Sequence, residues 1–456
     1  MGPTAALAQR IVTAGRPPTA ARTVAGQALL DFIGVTLAGS REPLSRMLQA
    51  QSADEGGHPQ AAVIGAGRRA SVRQAALANG AAGHAHDYDD VHDAMVGHPT
   101  VPVAPVVLAL GEHLGASGAE LVAAFCAGVD TECIIGRYAG PGHYARGWHA
   151  TATLGTFGAA AAAARLLGLD AARTAAALGI AGSRAAGLKA QFGTMTKPLH
   201  AGAAAAAGLE AAQLAGRGLS SRGDILEAHQ GFLATQAEGA DLARFEAALA
   251  EPAFVPQICF KYHAACYLTH GAIEAALALR RDHGLAPDDV DAVTVTVNAG
   301  HFDVCNIQNP ATGLEAKFSL RFTVAMALAG DNTADIHAYT DDLTRRPDLV
   351  ALRDRVVVAA HPALRPETRV AIRTRDGRDL AAEANVAVPA TDLDAQRQRL
   401  AAKFQTLAAP VVGSAAATRI EVACRALWEA DDVAPLWQAL NAPPLARPEQ
   451  LADTGT

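Results

Sequence analysis

The chain has 456 residues, 50% of them hydrophobic, 18% charged and only 5% aromatic, with a formal net charge of −7. That balance describes a globular protein with room for two or three domains. It argues against a nucleic-acid surface, which would need clustered Lys and Arg. The six cysteines lack CxxC spacing, so neither a zinc ribbon nor a disulfide framework is expected. No N-terminal apolar core of a signal peptide appears. The longest uncharged run, 147–164, is mostly Ala, Gly and Thr, too weakly apolar for a membrane span. The expectation is a cytoplasmic protein with no membrane and no nucleic-acid partner.

In chain order, apolar residues recur at helical spacing over 5–14 and 20–39, with Pro17 and Pro18 between. Residues 61–67 are short and ambiguous. Ser71 is a fitting N-cap for a helix through Asn79. Pro99, Pro102 and Pro105 mark the start of another helix, since proline is tolerated in a first turn. Helical patterns follow over 117–136, 149–167 and 170–182, with a loop at 140–147. A polar island spans 188–202, and Ala-rich helix resumes at 203–214. No strand alternation appears before about residue 250.

The texture then changes. VDAVTVTV at 290–297 alternates at period two with β-branched residues, and 355–359 and 368–374 repeat the pattern. Asp376-Gly377 is a hairpin signal, with 383–388 as the return strand. Helical segments near 269–281 and 319–329 lie between. Helix resumes from Asp392, then at 417–428 and 434–440. The fold class expected is mainly α. A helical domain over 1–257 is rejoined by C-terminal helices over 392–456, with a smaller α+β domain inserted at 258–391.

The chemistry-bearing stretch is NGAAGHAHDYDDVHDAMVGHPT, residues 79–100. It places His84, His86, His92 and His98 beside Asp87, Asp89, Asp90 and Asp93, within an apolar chain. A buried charge is costly unless paired, so this density points to a metal site, acid–base apparatus, or a capped loop between helices. The pattern matches neither HExxH nor an EF-hand loop, and no metal is expected. A nucleophile elbow, a phosphate loop and a dinucleotide fingerprint are all absent. Polar residues isolated in apolar surroundings complete the candidates: His149, Lys197, His200, Lys261, His263 and His270. A lone histidine on an apolar helix is more often a satisfied core residue. Converging lysines and histidines, however, suit a polycarboxylate ligand and proton abstraction next to a carboxylate.

NGAAGHAHDYDD…GHPT, GWHATATLG, FGTMTKPLHAG and FKYHAACYLTHG, in that order, resemble the MmgE/PrpD family, as do KFSLRFTVAMALAG and LAAKFQTLA. That family includes 2-methylcitrate dehydratases, cis-aconitate decarboxylases and an iminodisuccinate epimerase. The resemblance implies a helical domain built from both chain ends, an inserted lid, a homodimer and no cofactor. It carries the catalytic role to Asp87, His98, His149, Lys197 and Lys261. Substrate binding would fall to Lys197, Lys261, Cys266 and His270. The chain departs from the decarboxylase pattern at three places. Val91 stands where a threonine is expected, Cys266 where a histidine is, and Phe322 where a tyrosine is. The spacing from DYDD to HP is also about one residue longer. The expectation is a cofactor-independent lyase that eliminates water from a small di- or tricarboxylate, like 2-methylcitrate dehydratase. An epimerase is the alternative; a decarboxylase or a non-catalytic binding protein ranks below it.

Overall fold

A computed structural model describes residues 1–361 and 367–446. It is mainly helical, and the chain divides into two compact units, residues 1–260 with 390–456, and residues 261–389. Residues 447–456, assigned above to the C-terminal helices, lie outside the described residues.

The first unit is built on helices rich in Ala and Gly. Small side chains let these helices approach closely. At the crossing of helices Val72–Gly83 and Thr196–Gly216, a Cβ on Gly202 would meet the Leu77 carbonyl oxygen at 2.1 Å, and one on Gly80 would meet the Gly202 Cα at 2.8 Å. This crossing fixes the start of the second helix beside the loop that follows the first. Ser71 caps Val72–Gly83 with a full capping box to Gln74, as its sequence predicts. At the far end of the unit, helix Leu393–Val412 packs on helix Thr19–Gly39, joining the two ends of the chain.

Three expectations need correction here. Residues 61–70 are not featureless: β1 (Ala61–Val63) and β2 (Arg68–Ala70) pair antiparallel. Asn79 fastens this hairpin, accepting from the Ile64 N–H at 2.9 Å and donating to the Ala62 carbonyl at 2.9 Å. The 140–147 loop holds a short helix, Pro141–Ala145. The Ala-rich helix begins at Thr196, not 203, so Lys197 and Pro198 sit in its first turn, where proline costs no hydrogen bond.

The second unit contains one four-stranded sheet among its described residues. β3 (Val290–Asn298) is central: it runs parallel to β4 (Val356–His361) and antiparallel to β5 (Thr368–Thr374). β6 (Asp379–Ala384) closes the edge against β5, so the order is β4-β3-β5-β6. Gly377, at φ 90°, turns the β5–β6 hairpin. The return strand therefore comes earlier than 383–388, because the tight turn starts it at once. Helices Tyr267–His283 and Leu320–Ala329 belong to this unit. No single helix among the described residues is long and apolar enough to cross a membrane; the pair Thr19–Gly39 and Pro43–Glu55 passes on length and composition only jointly, and is bent by 86°.

Candidate active site

The loop after helix Val72–Gly83 folds its own polar residues into a network. Asp89 lies at its centre, 99% buried. One of its oxygens is 2.9 Å from Nδ1 of His84, and the other is 3.0 Å from Nδ1 of His98. His98 Nδ1 also lies 2.9 Å from the Asp90 carbonyl. A carboxylate and a carbonyl can only accept, so Nδ1 carries the proton in both rings. Burial pushes the Asp89 carboxyl up, but the two imidazoles outweigh it and hold the acid well below its usual range. Burial, opposed by Asp89, brings His84 down to about 4, so that ring is neutral near pH 7. The His84 ring therefore has its Nε2 lone pair free of a proton. His84 Nε2 is buried without a hydrogen-bond partner.

His98 Nε2 lies 3.5 Å from Asp87 Oδ1, and the same oxygen accepts from Lys197 Nζ at 2.7 Å. Asp87 sits at φ +52°, a left-handed conformation that short polar residues tolerate best. Lys197 reaches it from the first turn of helix Thr196–Gly216, whose N-terminal dipole adds to the positive field. The Lys197 ammonium also stands 5.2 Å from the centre of the Phe192 ring.

His149 completes the cluster from the N-terminus of helix Ala150–Leu166. Its ring stacks on His84 with centroids 5.9 Å apart, and Phe192 meets it edge-on at 5.1 Å. Its Nδ1 is 3.1 Å from His200 Nδ1, and its Nε2 is buried without a partner. One of the two Nδ1 atoms must donate, so His200 sets which nitrogen of His149 carries the proton. Burial, reinforced by the neighbouring His84 and the Lys197 ammonium, holds His149 far below the usual histidine range, so the ring is neutral. Backbone pairing explains its placement: the His149 N–H donates to the Gly187 carbonyl at 3.0 Å. Gly187 is at φ +150°, and a Cβ there would meet Ala152 Cβ at 2.5 Å. The GWHATATLG segment also holds the loop, since Thr151 Oγ1 accepts from the His98 N–H at 3.1 Å.

Four of the candidates, Asp87, His98, His149 and Lys197, therefore converge in the first unit. The other three, Lys261, Cys266 and His270, belong to the second unit. Lys261 is its first residue and is buried. Cys266 precedes helix Tyr267–His283, its N–H donating to the Lys317 carbonyl at 2.9 Å. His270 lies in the first turn of that helix, with Nε2 3.2 Å from the Ala265 carbonyl. Burial, with the charges of His263 and Lys261, drives it well below the usual histidine range.

Not every polar residue of the 79–100 stretch joins the site. Asn79 pins the hairpin. His92 accepts from the Ala94 N–H at 3.0 Å on Nδ1, and its Nε2 faces the Phe254 carbonyl at 3.1 Å. Asp90 serves helix Thr100–Leu114, accepting from the Thr100 N–H at 3.3 Å and from its hydroxyl. Burial raises the Asp90 carboxyl to about 8. Conversely, the site roles that the resemblance carries over omit His84, Asp89 and His200, and no spacing rule marks them.

Donor atoms of His84, Asp87, Asp89 and His98 all lie within 4.8 Å of one another, a set that could hold a metal ion. Both Nδ1 atoms, however, are spent on Asp89, and the Lys197 ammonium already neutralises Asp87 at contact distance. The donor set fits a cation that is part of the protein better than one taken from solution.

Residues 6–244 match the MmgE/PrpD N-terminal domain, and residues 263–428 match the MmgE/PrpD C-terminal domain. The chain is similar to the cis-aconitate decarboxylase of Homo sapiens, 31% identical over 310 residues, which is 63% of this chain and 61% of the human protein. It is also similar to the cis-aconitate decarboxylase of Aspergillus terreus, 28% identical over 448 residues, covering 91% of this chain and 90% of that one. A cis-aconitate decarboxylase-like protein of Aspergillus oryzae is 33% identical over 273 residues, 56% of each chain. In the human comparison the chain spans about three fifths of its relative's length.

Proposed function

The chain belongs to the MmgE/PrpD family, and we propose that it is a lyase that removes a proton α to a carboxylate of a small di- or tricarboxylate and expels a β-hydroxyl as water. The observation that carries this reading is the Asp89–His98 pair, which engages Nδ1 of His98 and leaves Nε2 as the nitrogen beside the Lys197–Asp87 contact. A substrate carboxylate drawn to Lys197 would set its α-carbon near that nitrogen. His98 Nε2 takes the α-proton, and Asp89 stabilises the imidazolium formed, as a carboxylate does in a catalytic triad. The electrons released form an enediolate, whose charge Lys197 and its helix N-terminus offset. The β C–O bond then breaks. With His200 donating to its Nδ1, His149 carries its proton on Nε2 and gives it to the departing hydroxyl. Lys261 enters on the resemblance alone, as a second carboxylate-binding cation. Lys261→Ala would then lower turnover and weaken binding of a dicarboxylate analogue, while equal values would remove it from the reading.

The names of the relatives favour a second reading, decarboxylation. Loss of carbon dioxide leaves the same kind of carbanion, which a protonated imidazole could quench. Val91 and Phe322 lack the hydroxyl groups of the decarboxylase pattern. Val91 is engaged through its backbone with Cys259 at 2.9 Å in both directions, and Phe322 is fully buried. Elimination therefore ranks first. Proton NMR in D2O over hydroxy di- and tricarboxylates and cis-aconitate separates the cases. Alkene formation with water loss supports elimination. Loss of carbon dioxide moves the assignment to decarboxylation, and α-deuteration alone to an epimerase. No change in any substrate overturns the reading.

A further inference from the structure

Helix Leu393–Val412 carries one charge in its second half, Lys403, and helix Thr19–Gly39 carries one in its apolar body, Asp31. Both are buried, and Lys403 Nζ lies 2.7 Å from Asp31 Oδ1. The same ammonium donates to the carbonyl oxygen of Tyr88 at 2.8 Å and stands 4.0 Å from the centre of the Tyr88 ring. Tyr88 itself is 1% exposed. One cation thus grips a residue on two sides while Asp31 holds the cation.

The location of that grip matters. Tyr88 stands between Asp87, which pairs with Lys197, and Asp89, which bonds to His84 and His98. Its carbonyl belongs to the peptide plane that leads into Asp89, so a donor on it fixes the angle at which Asp89 leaves the chain. On the other side, the left-handed backbone of Asp87 persists only where its surroundings over-determine it. The Lys403 contact, reaching across 315 residues of sequence, is such a constraint.

We propose that Lys403, held by Asp31, is a positioning residue of the active site, locking the Tyr88–Asp89 peptide so that Asp89 meets both imidazoles. The proposal rests on reading the 84–98 loop as the reaction centre, and its test includes a measurement that needs no substrate. Removing one partner alone would leave a buried charge unpaired and endanger the fold. The test variant is therefore Asp31→Leu/Lys403→Met, which removes both charges together. Asp31→Asn/Lys403→Gln is the second variant should the first not fold; its shorter amide withdraws the donor from the carbonyl. Circular dichroism and melting establish the fold, and 15N-edited NMR of the histidine side chains reads the Nδ1–H protons of His84 and His98.

In the folded variant, those two signals should broaden or shift while the Nε2–H signal of His92 stays. Where turnover can be followed, kcat should fall about 10- to 10²-fold, as when a distant change misplaces reacting groups. Binding of a dicarboxylate analogue, which depends on Lys197, should stay within about twofold, a margin of about 0.4 kcal/mol. A folded variant whose His84 and His98 signals match the parent overturns the proposal and leaves Lys403–Asp31 as an ion pair that only joins two helices. Altered imidazole signals in a protein that eliminates nothing would uphold the proposal while removing the assigned reaction.

Discussion

Asp89→Asn isolates what one carboxylate does for the reaction. The amide keeps the shape of the acid but offers one acceptor oxygen and one N–H2 group where two oxygens stood. The His84 and His98 Nδ1 protons, at 2.9 and 3.0 Å, cannot both be accepted. The Asp90 carbonyl, 2.9 Å from His98 Nδ1, holds the His98 tautomer, so His84 is the ring that must move its proton. His98 keeps its Nε2 lone pair but loses the negative charge that stabilises its protonated form. For charges about 4 Å apart in an effective dielectric of about 20, that interaction is worth about 4 kcal/mol. Fully expressed in the barrier, it amounts to about three powers of ten in rate. Some of the field reaches solvent, because the His98 side chain is 13% exposed. The expected loss in kcat is therefore about 10²- to 10³-fold, with little change in KM, since Lys197 is untouched. The assay is substrate turnover by NMR, beside melting curves to check the fold. Asp93→Asn is the control: it removes the same charge from a side chain 83% exposed, and should change nothing. A folded Asp89→Asn protein with kcat within about fivefold of the parent would refute the base assigned to His98.

Three further outcomes follow from the same geometry. His92 is brought to about 4 by burial, partly offset by its bond to the Phe254 carbonyl, against about 6.5 unfolded. The folded state therefore binds the proton less well, and up to about 3 kcal/mol of stability, complete above pH 6.5, is lost as pH falls toward 4. Urea titrations at stepped pH should show that loss, and His92→Gln should flatten it; an unchanged pH slope would contradict the account. Lys197→Met should abolish analogue binding and turnover with the fold intact, and Lys197→Arg should restore little, because a planar guanidinium cannot replace a point donor at 2.7 Å. Exhaustive EDTA treatment should leave turnover unchanged, whereas activity lost and then recovered with one divalent ion would reassign the His84, Asp87, Asp89 and His98 cluster as its ligands.

The residues that composition makes conspicuous are not all the residues that act. A dense polar stretch in an apolar chain rightly marks 79–100, but it does not separate Asp89, which holds two imidazoles, from Asp90, which serves a helix start. Both are aspartates in one loop, and only the path of the backbone distinguishes them. Strand β1 has three residues, too few for an alternation to register, and the polar run over 188–202 conceals the first turns of a helix that starts at Thr196. His84 and Asp89 are five residues apart, a spacing no regular element brings together; a loop with a left-handed residue at Asp87 does it.

The Lys403–Asp31 pair shows a different kind of signal, present in the sequence but not local. Asp31 is the one charge in VAGQALLDFIGVTLAGS, and Lys403 the one charge in LAAKFQTLAAPVV. The first stretch reads as a buried helix and the second buries one face, and a charge buried on either must find its opposite. Two buried charges of opposite sign, each alone in its apolar stretch, can satisfy one another however far apart they lie in the chain. Matching such orphans across the sequence joins helices Thr19–Gly39 and Leu393–Val412 of this unit. It does not locate Tyr88 between them, because that contact runs through a backbone carbonyl, which every residue possesses and no sequence pattern marks.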